Sequence, residues 1–150
     1  MNANIFFAVM LLTIGAVSSK RIRYQSCGSQ TRAEISSVDI TPCDQDPCVF
    51  RRGKQETFTM KFIPRELITS AKIYANGMMG GAKIPLPINH DVCQGYGLSC
   101  PLKAGVEAEL VFSVKLHAFY IPRGEYAMEA YIKDQNGNLV VCVKINLEIA

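Results

Sequence analysis

The chain has 150 residues, a length typical of a single domain. Hydrophobic residues make up 49% of it and charged residues 19%, a composition that excludes an intrinsically disordered protein. The net charge is only +3, which gives no reason to expect a nucleic-acid partner, since such proteins carry a concentrated basic surface. Two histidines and no tryptophan leave little material for a multi-histidine metal site.

The first segment has the pattern of a secretory signal peptide. No residue from Met1 to Ser19 is charged, an apolar run extends from Ile5 to Val17, and small residues follow it. We predict a signal peptide over residues 1–19, cut after Ser18 or Ser19. The alternative, a membrane anchor, is disfavoured because the run is shorter than the roughly 20 residues that a spanning helix needs. The mature domain, 20–150, is therefore expected to be secreted and oxidised, in extracellular fluid or a lysosomal lumen.

Apolar and polar residues alternate with a period of two in several later segments. These segments are 57–62, 110–117, 126–133 and 141–149. Each can bury one face and expose the other, as strands of an antiparallel sheet do. The sequence Asn136-Gly137 between the last two segments favours a hairpin, whereas Pro85 and Pro87 make the middle segment a poor central strand.

No long amphipathic helix is evident, and about seven strands in a secreted chain of this size predict an all-β, two-sheet sandwich. The absence of tryptophan argues against a true immunoglobulin domain, which packs a core tryptophan against its disulfide.

The six cysteines indicate a disulfide framework in an oxidising compartment. They are Cys27, Cys43, Cys48, Cys93, Cys100 and Cys142. Six cysteines allow about fifteen pairings, and the sequence alone cannot select one. Spacing suggests that the second and third clip a short turn, that the fourth and fifth clip a glycine-containing loop, and that the first and last close nearly the whole domain. A zinc site at His90, Cys93 and Cys100 is disfavoured by this spacing.

Candidate catalytic residues are scarce. His90 belongs to a predicted loop, His117 to the polar face of a predicted strand, and Glu107 and Glu109 to what we interpret as a solvated strand face. No nucleophile elbow or phosphate-binding glycine loop is present in the sequence. We therefore expect a protein that is not an enzyme and that uses neither a cofactor nor a metal.

Several sequence blocks carry a resemblance to a known family. They are Tyr24-Gln25-Ser26-Cys27-Gly28-Ser29, Thr41-Pro42-Cys43-Asp44-Gln45-Asp46-Pro47-Cys48, Arg52-Gly53-Lys54, Met79-Gly80, Ile84-Pro85-Leu86-Pro87-Ile88 leading to Cys93, Cys100-Pro101-Leu102-Lys103, and Leu139-Val140-Val141-Cys142. Together they resemble the ML lipid-recognition domain family over essentially the whole mature chain. The sequence looks most like the branch of secreted Niemann-Pick type C sterol carriers, and it is also similar to the mite group 2 allergens.

The resemblance implies an immunoglobulin-like sandwich of two antiparallel sheets with three disulfides, Cys27–Cys142, Cys43–Cys48 and Cys93–Cys100. It also implies a monomer that binds a sterol or a long-chain fatty acid between the sheets and carries it without a catalysed reaction. The similarity to arthropod members adds a role as a semiochemical carrier.

The resemblance, with the inward face of the segment 110–116, implies a set of lipid-binding residues. The set is Ile40, Phe50, Phe58, Met60, Phe62, Leu86, Leu110, Phe112, Val114, Leu116, Tyr120, Ile121, Pro122, Met128, Ala130, Ile132, Val143 and Ile145. Met79 matches a residue near the pocket mouth that hands lipid to a membrane or membrane-protein acceptor. The polar end of the lipid is expected at the mouth, near Tyr120 or Lys83.

Two departures from the sterol carriers bear on the ligand. Leu86 and Ala130 stand where those carriers have aromatic rings, so the pocket has more room for a flexible acyl chain and less selectivity for a sterol. Two alternatives stay open. The alternating residues can form an ordinary packed core, and a domain of this kind can act as an innate-immune or co-receptor interaction module.

Overall fold

The computed structural model describes residues 15–117 and 121–150, and these residues form strands and loops. The strands are β1 (Lys20–Arg21), β2 (Gln25–Ser26), β3 (Ala33–Thr41), β4 (Cys48–Phe50), β5 (Gln55–Pro64), β6 (Ala71–Met79), β7 (Ala82–Pro85), β8 (Ala108–Lys115), β9 (Gly124–Asp134) and β10 (Leu139–Ile149). Within these two ranges no helix is long and apolar enough to cross a membrane.

The strands form two sheets. The four-stranded sheet has the order β1-β3-β5-β8, and the six-stranded sheet has the order β2-β10-β9-β6-β7, with β4 beside the end of β10. The pairing of β4 with β10 is parallel, and the other strand pairs are antiparallel. The predicted all-β fold with two antiparallel sheets is confirmed.

The four segments of alternating sequence became the long strands β5, β8, β9 and β10. In β5, for example, Phe58, Met60 and Phe62 are buried and the residues between them are partly exposed. The predicted hairpin joins β9 to β10. There Gly137 adopts a positive φ of 78°, and the Asp134 carboxylate accepts hydrogen bonds from the main-chain N–H groups of Asn136 and Asn138.

Two long strands, β3 and β6, were not predicted. In β3 the register with β5 shifts between Ile35 and Ser37, and such a bulge interrupts the period-two pattern. In β6 the inward positions include Ala75 and Gly77, whose small or missing side chains weaken the hydrophobic signal. The proline-rich segment behaves as predicted, because β7 ends at Pro85 on the edge of its sheet.

The three disulfides join Cys27 to Cys142, Cys43 to Cys48, and Cys93 to Cys100. This pairing confirms the one that the resemblance implies. The zinc alternative is excluded, since two of its three ligands are bonded to each other.

Candidate functional site

The outer end of the space between the two sheets is called the mouth here. It is formed by the turn 51–54, residues 116–117 after β8, residues 121–123 before β9, and the tip of the β6–β7 hairpin. The main-chain N–H of Gly53 donates to the Leu116 carbonyl over 2.7 Å, so the turn is fixed to the end of β8. Met79 pairs with Ala82 at the hairpin tip.

An apolar cavity of about 280 Å³ opens at the mouth. We call it the outer cavity. Its lining consists of Phe50, Gly77, Met79, Ile84, Pro85, Leu86, Pro87, Val114, Leu116, Ile121, Tyr126, Ala127, Met128, Leu147 and Ile149. The lining combines the end of β8 in one sheet with five strands of the other, so the cavity lies between the sheets. Its volume is close to the lower limit of typical small-molecule pockets, roughly 300 Å³.

A second, smaller cavity lies deeper between the sheets and has a volume of about 50 Å³. We call it the inner cavity. Its lining consists of Val38, Phe58, Met60, Ile73, Ala75, Ile88, Leu110, Phe112, Met128, Ala130, Val143 and Ile145. These side chains are apolar throughout. The inner cavity therefore has room for a few methylene groups and offers them no polar side chain.

Aromatic rings and one methionine stand between the two cavities. The ring of Phe50, which lines the outer cavity, contacts that of Phe58, which lines the inner one, with centroids 5.5 Å apart. Phe58 in turn lies 6.0 Å from Phe112. Met128, from the opposite sheet, lines both cavities. Because methionine side chains adapt easily, Met128 is the most readily displaced part of this partition.

A wide cleft of about 820 Å³ lies beside the mouth, between β8 and the segment 86–96. It shares five residues with the outer cavity, namely Leu86, Pro87, Val114, Leu116 and Ile121. The cleft wall is held by a hydrogen bond from the Tyr96 hydroxyl to the Asn89 carbonyl. Burial raises the pKa of Tyr96 above its ordinary value.

The structure brings most of the predicted site residues to the two cavities. Outer-cavity residues from the predicted set are Phe50, Leu86, Val114, Leu116, Ile121 and Met128. Inner-cavity residues from that set are Phe58, Met60, Leu110, Phe112, Met128, Ala130, Val143 and Ile145. Ligand contact by these residues stays a prediction.

The other predicted residues lie elsewhere. Ile40, Phe62 and Ile132 are at most 1% exposed and pack in the core outside both linings. Pro122 is exposed, and its carbonyl accepts a hydrogen bond from the Tyr126 hydroxyl. Tyr120 lies outside the described residues.

Several lining residues were missed by the prediction. Tyr126, Leu147 and Ile149 continue alternating patterns that the sequence displays, and following those patterns to the strand ends would have found them. Ile73 and Ala75 belong to β6, whose small inward residues concealed it.

The charged groups near the mouth differ in their environments. Lys83 donates to both carboxylate oxygens of Glu129, over 3.0 and 3.1 Å. Neither Lys83 nor Glu129 lines the outer or the inner cavity, and Glu129 alternates along β9 with Met128 and Ala130 of the inner lining, so this ion pair lies on the outer face of the sheet. Lys83 is therefore directed away from the cavities. Glu56, by contrast, is 2% exposed, and this burial raises the pKa of its carboxyl group.

This sandwich with a cavity between its sheets matches a known domain. The sequence profile of the ML domain matches residues 21–149. The chain belongs to the ML domain family. The family assignment made from the cysteine blocks is thus confirmed.

Relatives of this ML domain extend over its whole length. It is 24% identical over 149 residues to the NPC intracellular cholesterol transporter 2 of Danio rerio, with 99% of each chain covered. It is 22% identical over 144 residues to the mite group 2 allergen Tyr p 2 of Tyrophagus putrescentiae, with 95% of this chain and 97% of the allergen covered.

A solved structure confirms the immunoglobulin-like fold of the ML domain. The Niemann-Pick type C2 protein from Japanese carpenter ant superposes with a TM-score of 0.77 at 23% sequence identity. The match covers 86% of this chain and 100% of the ant protein.

Proposed function

We propose that this ML domain is a carrier that binds a sterol or a long-chain fatty acid between its sheets and transfers it without catalysis. The apolar outer cavity, open at the mouth, is the observation that carries the proposal. Each methylene group moved from water into such a space contributes about 0.8 kcal/mol, so a long chain binds without a covalent step. The similarity to a cholesterol transporter supports this function.

The cavity linings support a ligand that enters with its apolar end first. The outer cavity receives that end, and the inner cavity extends the path past Met128. Leu86 in the outer lining and Ala130 in the inner one are aliphatic and not aromatic. They favour a flexible chain as well as a rigid ring system, as a semiochemical carrier would require.

The β6–β7 hairpin is the proposed site of transfer to a membrane or a membrane-protein acceptor. Met79 is 41% exposed and Ile84 is 45% exposed, although both also line the outer cavity. An apolar surface continuous with the cavity would let the ligand pass from carrier to acceptor without crossing water.

We also propose that the protein is secreted as a monomer after removal of residues 1–19. The three disulfides support an oxidising compartment, because such bonds persist outside the cytosol. The alternative role as an interaction module stays a prediction.

Binding of fluorescent lipids to delipidated protein tests the proposed carrier function. We expect saturable binding of a fluorescent sterol or a fluorescent fatty acid, and the absence of saturable binding of both would overturn the proposal. Leu116→Asp places a charge in the outer lining and should abolish binding. Leu67→Asp makes the same change at a side chain that is 53% exposed and outside both linings, and it should leave binding intact.

Ile84→Asp repeats the test at a position where folding tolerates a charge, since this lining side chain is already 45% exposed. Circular dichroism and thiol titration check that each variant is folded with its disulfides formed. Unchanged affinity in folded Leu116→Asp and Ile84→Asp would show that the outer cavity is not the binding site.

A further inference from the structure

Glu56 occupies an inward position on β5. It alternates with the buried residues Phe58, Met60 and Phe62, and only 2% of it is exposed. Among the residues that the structure describes, Glu56 is the only charged residue that is buried. A carboxyl group in an apolar interior loses its hydration, which is unfavourable unless it acquires a partner.

Strand register places Glu56 next to a residue of the outer cavity, although Glu56 itself is not among the lining residues of either cavity. Its partner across the sheet is Val114, a residue of the outer lining, and the next inward pair, Phe58 and Phe112, lines the inner cavity. Glu56 is therefore one residue layer closer to the mouth than the aromatic partition. Because the inner cavity takes only a few methylene groups, the rest of a longer ligand, with its polar end, stays on the mouth side of the partition, where Glu56 lies.

The Glu56 carboxyl group has unused hydrogen-bonding capacity. Its Oε2 atom is buried and has no hydrogen-bond partner in the described structure. Burial raises the pKa of Glu56, while a main-chain hydrogen bond and the positive charge of Arg51 partly oppose this shift. Arg51 itself is exposed. The neighbouring Arg52 adds a second positive charge to the turn, and its Nε atom is also buried without a partner.

The structure points to Glu56 rather than Lys83 as the group that meets the ligand. Lys83 is paired with Glu129 on the outer face, whereas Glu56 faces inward and retains a free oxygen. An oxygen of this kind accepts an O–H or N–H group. A ligand carboxylate would instead place a like charge beside it in a medium of low dielectric constant.

We propose that Glu56 is a specificity-determining residue that accepts a hydrogen bond from the polar end of the ligand. The carrier would then select lipids that end in a hydroxyl or amino group over those that end in a carboxylate. This inference rests on the proposed carrier function and narrows its ligand class.

Ligands with the same chain and different ends test the inference. Dodecanol, dodecylamine and dodecanoate are titrated at neutral pH by displacement of pyrene, an apolar fluorescent probe without hydrogen-bonding groups. For the wild-type protein we expect dodecanol and dodecylamine to bind about tenfold more tightly than dodecanoate, as a hydrogen bond to a charged group allows.

Two substitutions of Glu56 distinguish its role as a hydrogen-bond acceptor from the effect of its negative charge. Glu56→Leu removes the acceptor and should weaken dodecanol binding about tenfold, the same hydrogen-bond contribution. Glu56→Gln removes the charge and should increase the affinity for dodecanoate. Glu125→Leu alters an exposed carboxylate at the same end of the sandwich, and it should leave the preference unchanged.

The outcomes distinguish the two proposals. If pyrene and all three ligands fail to bind the wild-type protein saturably, the carrier function itself is wrong. If pyrene binds but the ratio of dodecanol to dodecanoate affinity is the same in wild type, Glu56→Leu and Glu56→Gln, the carrier function stands and the role of Glu56 is overturned.

Discussion

At the scale of single residues, Ser37 and Glu56 are the polar exceptions among the buried residues that the structure describes, and Glu56 is the charged one. The surrounding positions of β5 bury Phe58, Met60 and Phe62, and each contributes hydrophobic stabilisation of the order of 2 kcal/mol. Glu56 opposes folding instead, because its carboxylate is desolvated and one of its oxygens is unpaired. A group that costs stability in the unliganded fold can still contribute to ligand recognition.

Glu56 should also make stability depend on pH. Its folded pKa lies above the ordinary value of 4.5, so the native state binds more protons than the unfolded state between those two values. Stability is therefore highest below pH 4.5, where Glu56 is protonated, and it falls as the pH rises through the folded pKa and the buried carboxyl group must take up its charge. We expect urea midpoints measured from this pH upwards to show this decline in wild type and not in Glu56→Gln.

Glu125→Gln serves as the control for this measurement, because the exposed Glu125 side chain lacks the desolvation that shifts Glu56. Its urea midpoints should follow the wild-type decline. A Glu56→Gln profile parallel to that of wild type would contradict the assignment of the decline to this group.

At the scale of elements, the disulfides close chain segments of very different length. Cys27–Cys142 joins the end of β2 to β10 across a sequence separation of 115 residues, whereas Cys43–Cys48 spans 5 residues before β4. In the chain-entropy description, a longer closed loop restricts the unfolded state more. The first bridge should therefore dominate the covalent contribution to stability.

Replacing each pair by alanine measures this difference. We expect Cys27→Ala with Cys142→Ala to lower the free energy of unfolding by about 5 kcal/mol, and Cys43→Ala with Cys48→Ala to lower it by about 2 kcal/mol. Chemical denaturation of both double variants provides the comparison. Equal losses would show that local strain or packing, and not loop closure, sets the contribution of each bridge.

At the scale of the whole molecule, the binding space is a property of two sheets and belongs to neither alone. The inner lining takes residues from β3, β5 and β8 on one side and from β6, β9 and β10 on the other. Met128 lines both cavities and is half-buried. The capacity of the carrier therefore depends on how far the path past this side chain can open.

A series of primary alcohols tests this dependence. Affinity should rise about fourfold per added methylene, the equivalent of about 0.8 kcal/mol, until the available space is filled. Met128→Ala should join the two cavities. The affinity should then keep increasing up to a longer alcohol than it does in the wild-type protein. Met79→Ala removes the same side chain from the outer cavity alone and should leave that limit unchanged. An equal shift in both variants would contradict the proposed path.

The sequence by itself determined the family, the all-β class, the edge position of the proline segment and the four most regular strands. These properties follow from local patterns, because strand periodicity and turn residues act over a few positions. The cysteine blocks, through their resemblance to a family, were enough to predict the three disulfides.

The tertiary structure alone decided which inward residues line a cavity and which pack in the core. Phe58 and Phe62 have the same sequence pattern, yet Phe58 lines the inner cavity and Phe62 lies outside both linings. Glu56 follows the same alternation, but a glutamate near a strand end is ordinarily solvated. Glu56 is nevertheless 2% exposed, and the periodicity of β5 alone does not reveal this burial, because it arises when the chain folds into a sandwich.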